Sequence, residues 1–210
     1  MKKAILPLFI ALFALASCQN AGTESESTSG ENCTYSFNNE ATQLKWTAFK
    51  FTDKVAVGGT FKNIYVRNTK TADTPLDVIR ELKFSIPING IDTQNEDRDS
   101  KIQNFFFGTL ANTEALTGEV RSIEGDDISG KATITVYMND MAQDVEMMYV
   151  FVDDQFTLNG KIDVKTWNAQ SGIDSLNTIC YDLHTGTDGV SMLWSEVDLE
   201  IVAKVNIKCE

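Results

Sequence analysis

Histidine is nearly absent from this chain: of 210 residues only His184 is one. A metal centre built on imidazole would have that single ligand to draw on, and Cys180, four residues earlier, makes no more than a pair, whereas zinc sites use three or four protein ligands. The sequence also lacks a glycine-rich phosphate loop, a nucleophile elbow and the cysteine spacing of a zinc site, so no motif announces phosphoryl transfer, acyl transfer or metal-assisted hydrolysis. Acidic doublets occur at Asp126-Asp127 and Asp153-Asp154. They fall in polar breaks between apolar segments and read as turn residues, without the spacing of a dedicated calcium loop. The chain therefore reads as non-enzymatic, with neither cofactor nor metal.

Positive charge is scarce as well. Eighteen basic residues face thirty acidic ones, a formal net charge of −12, which opposes binding to nucleic acid and to anionic headgroups through a broad basic patch. At the front of the chain the apolar run at 4–16 is too short to span a bilayer as a permanent helix. With Lys2 and Lys3 before it, it has the charged start and hydrophobic middle of a secretory signal. Leu15-Ala16-Ser17-Cys18 resembles a bacterial lipobox, in which cleavage leaves Cys18 first in the chain and lipidated; plain secretion with cleavage near Ser17 is the alternative. The lipobox reading divides the chain into a signal peptide at 1–17, a lipidated cysteine with a polar tether lacking apolar periodicity at 18–32, and one domain at 33–210 large enough to bury a core. It anchors the protein to a membrane of the bacterial cell envelope, expected to be the outer membrane facing the periplasm.

Helical periodicity is sparse, and period-two alternation takes its place. Phe156, Leu158, Gly160, Ile162 and Val164 share a face, as do Ala132, Ile134, Val136 and Met138, and again Val197, Leu199, Ile201, Ala203, Val205 and Ile207. Residues 145–152 are apolar on both faces, which predicts cover on both sides. A helix at 168–180, with Ile173, Leu176 and Ile179 at helical spacing, is the expected cover, and a second short helix carries Ile102, Phe105 and Phe106. Without a repeating helix-strand unit, the fold class is all-β: an antiparallel barrel of about eight strands with one or two short helices. Gly58-Gly59 reads as a bend or bulge at a barrel corner. With Cys18 lipidated, three cysteines remain in an oxidising compartment, and any pairing leaves one over. Cys33 with Cys209 is favoured, because first and last strands meet when a barrel closes.

A barrel of this size is either filled by its own side chains or holds one slender ligand. Patterning leaves both open. An alternating segment through Phe84 and Ile86 runs into a polar loop with Thr93, Asn95, Arg98 and Asp99, and then into Phe105-Phe106-Phe107. Elsewhere stand Trp46 with Lys50, Val57-Gly58-Gly59-Thr60-Phe61, Phe156 through Gly160, Leu176-Asn177 with Cys180, Leu183-His184, and Trp194 through Val197. In this order, over 44–207, they resemble the YceI-like family, bacterial envelope proteins that bind polyisoprenoid lipids inside a lipocalin-like barrel.

The resemblance implies an isoprenoid ligand of the quinone or polyprenyl phosphate type in a tunnel lined by Phe61, Phe84, Ile86, Phe105, Phe106, Val136, Met147, Tyr149, Phe156 and Leu158. Its headgroup would lie near Asn95, Arg98 and Asp99, where arginine offers a planar fork for an oxygen. The residues themselves admit a plainer role, with Asp99 capping a helix and Arg98 paired with Asp97 or Asp99. The alternative for the whole protein is a membrane-tethered interaction module with a solid barrel core.

Overall fold

The structure is a computed structural model and describes residues 32–210; the expected signal segment, Cys18 and the tether up to residue 31 lie outside the described residues. In chain order it comprises β1 (Cys33–Lys50), β2 (Val55–Phe61), β3 (Tyr65–Arg67), β4 (Thr71–Ala72), α1 (Pro75–Ile79), β5 (Lys83–Pro87), β6 (Ile91–Asp92), α2 (Glu96–Lys101), β7 (Ala115–Gly125), β8 (Ser129–Met138), β9 (Met141–Val152), β10 (Gln155–Asp163), α3 (Gln170–Ile179), α4 (Tyr181–His184) and β11 (Leu193–Cys209). The acidic doublets and the Asn139-Asp140 pair make the turns β7–β8, β8–β9 and β9–β10. Asn139 and Asp140 both adopt left-handed φ, 52° and 57°, as a two-residue hairpin turn requires. The Asp126 carboxylate accepts from the backbone N–H groups of Ile128 and Ser129, each at 2.9 Å.

All strand pairs are antiparallel, and β7, β8, β9, β10, β11, β1 and β2 follow one another around the sheet. Closure falls to two bent segments. At one stretch β2 pairs with β6 through Phe61 opposite Ile91. Beyond the bend, β3, the continuation of β2, pairs with β5 through Val66 opposite Phe84, while β5 pairs with β7 on its other side. Counting 55–67 and 83–92 as one bent strand each, the ring has eight strands. One end of the barrel carries the β1–β2 turn, α3 and α4; the other carries the 126–128 and 153–154 turns, α1 and the chain terminus. There Cys33 lies opposite Cys209 in the β1–β11 register, and the two are disulfide-bonded with Cα atoms 4.0 Å apart. Cys180 is free and buried.

Three expectations are corrected. Gly58-Gly59 lies in an unbroken β1–β2 register rather than at a bulge. Gly59 is there for contact, since a Cβ would sit 2.4 Å from Cζ2 of Trp46. The register shifts fall instead at 38–43, 48–50 and 120–122. Second, residues 145–152 are covered on one face only: Val145, Met147 and Tyr149 are buried, but Met148 and Val152 are 61% and 62% exposed. Third, α3 packs on the turns at 102–109 and on β11, with Gly172 so close to Phe106 that a Cβ would come within 2.7 Å of its ring. The second helix, α2, ends at Lys101, and Ile102–Phe106 continue it as one wider π turn.

Candidate functional site: an apolar cavity with one polar rim

The three alternating rows do not meet at the barrel axis. They surround a cavity of about 270 Å³ whose wall extends from Phe37, Phe156 and Ala203 near the α1 end to Leu176, Leu193 and Trp194 at the α3 end. No charged residue lines it, and Thr42 supplies its one hydroxyl. Polar strand residues face outward and pair across the ladder, as Lys45 does with Glu200 at 2.8 Å and Lys161 with Asp198 at 3.3 Å. Apart from the Thr42 hydroxyl and two indoles, the described wall is hydrocarbon and thioether.

Of the expected tunnel residues, Phe61, Phe84, Ile86, Phe106, Val136, Met147, Phe156 and Leu158 stand in the wall. Phe105 and Tyr149 do not. The wider π turn directs Phe106 and Phe107 inward and leaves Phe105 half-buried outside the cavity. Tyr149 is buried, but its hydroxyl donates to the carbonyl of Asp126 at 2.7 Å, fixing the 126–128 turn beyond the cavity end. The wall also takes Phe37, Leu44, Ile79 and Leu82 from segments whose alternation is too short or too irregular to read. Trp46 is in the wall as well, and its buried indole N–H has no protein partner among the described residues.

The expected headgroup residues lie outside the wall. Asn95 caps α2, its Oδ1 accepting from the Arg98 backbone N–H at 2.9 Å, so the cap is Asn95 and not Asp99. Asp99 is buried, and one carboxylate oxygen accepts from both the backbone N–H and the hydroxyl of Thr93, at 2.9 and 2.6 Å. Asp97 is bonded to Lys101 rather than to Arg98. Arg98 is exposed and makes no side-chain hydrogen bond or ion pair among the described residues. Asp99→Ala strands both Thr93 donors and is expected to cost about 2 kcal/mol, whereas Arg98→Ala should stay within about 0.5 kcal/mol. Urea denaturation of the two variants measures the contrast.

Polar side chains do gather at the α3 end. His184 Nδ1 meets Asn177 Oδ1 at 2.9 Å, and the Ser191 hydroxyl donates to the same oxygen at 3.2 Å. Lys50 Nζ donates to the carbonyl of Leu183 at 2.9 Å. Burial, and secondarily the Lys50 charge, lower the His184 pKa to about 4. Burial raises that of the Cys180 thiol. An unfolded histidine titrates near 6.5, so between pH 6.5 and 4 the unfolded chain takes up a proton that the folded chain refuses. Stability from this source is complete above pH 6.5 and is lost as pH falls towards 4. The melting temperature should decline over that window, with a shallower slope in His184→Asn.

A family model described as the YceI-like domain matches residues 35–205. No curated protein matches the sequence. Among solved structures, a polyisoprenoid binding domain from Saccharophagus degradans, implicated in plant cell wall breakdown, is similar at 14% identity and a TM-score of 0.56, covering 83% of this chain and 98% of its own. BcnA of Burkholderia cenocepacia is similar at 11% identity and 0.55, covering 81% and 99%. A YceI protein of Campylobacter jejuni is similar at 19% identity and 0.50, covering 77% and 90%. At these identities the likeness is one of fold.

Proposed function

The chain belongs to the YceI-like family, and from that membership and its cavity we propose that it binds, sequesters or carries an isoprenoid lipid of the quinone or polyprenyl phosphate type, without catalysing a reaction. The observation that carries the reading is a hydrocarbon-walled cavity reaching from one barrel end to the other. Each buried methylene yields about 0.8 kcal/mol, so one five-carbon unit contributes about 4 kcal/mol. A few units outweigh an association cost of roughly 4 to 15 kcal/mol. An empty cavity is also costly: at about 24 cal/mol per Å³, an unfilled 270 Å³ forfeits on the order of 6 kcal/mol of packing. That is comparable with the whole net stability of a domain, about 5–15 kcal/mol, so an occupant stabilises the fold as well as being held by it.

In this reading Cys18 carries the lipid anchor, and the domain serves the cell envelope from the periplasmic face of the outer membrane. Isoprenoids are made and used at membranes, and an anchored carrier meets them there. Native mass spectrometry of protein purified from its own envelope tests the proposal. A stoichiometric prenyl lipid is expected. A barrel that is always empty would favour an interaction module instead.

A further inference from the structure

On β1 the residues Leu44, Trp46 and Ala48 line the cavity, and Lys50 is the next residue of that inward row, at the strand's end beneath α3 and α4. It is half-buried. Its Nζ meets the Leu183 carbonyl and lies 4.5 Å from the Phe51 ring centroid, and it has no carboxylate partner among the described residues. Lys45 and Lys54, on the same β1–β2 hairpin, are paired with Glu200 and Glu196. In a chain with thirty acidic residues, a partly buried lysine without a carboxylate partner stands out. On the neighbouring segments Asp188 accepts from the Thr52 hydroxyl and Asp97 holds Lys101, while the Asp182 carboxylate, beside Leu183, makes no hydrogen bond or ion pair with Lys50.

Asn177 provides the second element. Its Oδ1 lies 2.9 Å from His184 Nδ1 and 3.2 Å from the Ser191 hydroxyl, which is equally close to the Tyr181 carbonyl, and its N–H₂ makes no hydrogen bond among the described residues. Leu176, just before Asn177, and Leu193, opposite Lys50 in the β1–β11 register, both stand in the cavity wall. Lys50 and Asn177 are not themselves in the wall, but each adjoins a residue that is.

We propose that Lys50 and Asn177, positioned by His184 and Ser191, form the polar pole of the cavity and bind the phosphate of a prenyl phosphate, an inference that rests on the lipid-carrier reading above. The ammonium supplies the charge, the amide a directional donor, and the hydrocarbon wall the affinity. The resulting preference is for a phosphate over a neutral head on the same tail.

The test compares geranylgeranyl monophosphate, geranylgeraniol and inorganic phosphate by calorimetric titration of delipidated full-length domain, in wild type, Lys50→Met, Lys50→Arg and the exposed control Lys165→Met. Wild type should bind the monophosphate about tenfold more tightly than the alcohol and inorganic phosphate hardly at all. Lys50→Met should erase that tenfold preference while leaving the affinity for the alcohol unchanged, Lys50→Arg should keep most of it, and Lys165→Met all of it. Equal wild-type affinity for phosphate and alcohol, or a parallel loss of both in Lys50→Met with an unchanged melting curve, would overturn the assignment. Inorganic phosphate binding as tightly as the lipid would make the site one for a free anion. Failure of both prenyl probes is a different result, and it removes the carrier reading itself.

Discussion

Replacing Cys33 and Cys209 together by serine is expected to lower the unfolding free energy by about 4 kcal/mol. The bond joins residues 176 apart in sequence, so it removes the closure entropy of nearly the whole domain from the unfolded state. Cross-links of long loops have most to offer in that respect, although chain-entropy figures are upper bounds. Its place in the ladder explains why the native state accommodates it. Cys33 and Cys209 are the first register partners of the β1–β11 pair, which runs on to Lys50 and Leu193, so the bond pins a seam already held by backbone hydrogen bonds. Urea denaturation of the double serine variant and of reduced wild type should give the same deficit. A loss below about 1 kcal/mol would show that the paired strands keep those ends together in the unfolded ensemble too.

The third cysteine should not compete for that pairing. Cys180 is buried beneath the α3–α4 junction, and burial holds its thiol in the protonated, unreactive form.

What could be read in the sequence divides along physical lines. Period-two alternation is a strong signal wherever one face meets hydrocarbon and the other water, and β8, β10 and β11 meet that condition; Ala132 to Met138, Phe156 to Val164 except Gly160, and Val197 to Ala203 stand in the cavity wall, while of the last row's end Val205 is buried outside the wall and Ile207 is exposed. The same rule misreads 145–152, because an apolar outward row of Met148, Val150 and Val152 is indistinguishable in sequence from a buried one. Phe105 and Phe106 are adjacent, and a single added backbone residue in the π turn decides which faces in. No spacing rule contains that residue. Tyr149 has the alternation of a wall residue, and only the turn at Asp126 that claims its hydroxyl shows that it lies past the cavity. Asn95, Arg98 and Asp99 form a polar cluster beside aromatics in sequence, yet two of them hold α2 and the end of β6 in place. Lys50, Asn177 and His184 come from β1, α3 and α4, and only the closed barrel brings them together.

Ala48→Phe should lower affinity for a prenyl lipid about a hundredfold while leaving the melting temperature unchanged or raised. Ala48 lies on the inward row between Trp46 and Lys50, opposite Val197 on β11 and Val57 on β2, and its small side chain leaves the cavity open at that level. A phenyl ring there occupies space that one isoprene unit would use, and excluding that unit forfeits about 4 kcal/mol gross. The same ring fills volume that is otherwise empty without ligand, which offsets the strain of a larger side chain. Stability and binding therefore move independently, and a misfolded variant cannot imitate the result. Lys50→Met makes the complementary case, since it keeps the tail's space and removes only the preference for phosphate. Undiminished affinity in Ala48→Phe, measured by lipid titration against the same probes, would mean that the tail is held somewhere other than along the barrel axis.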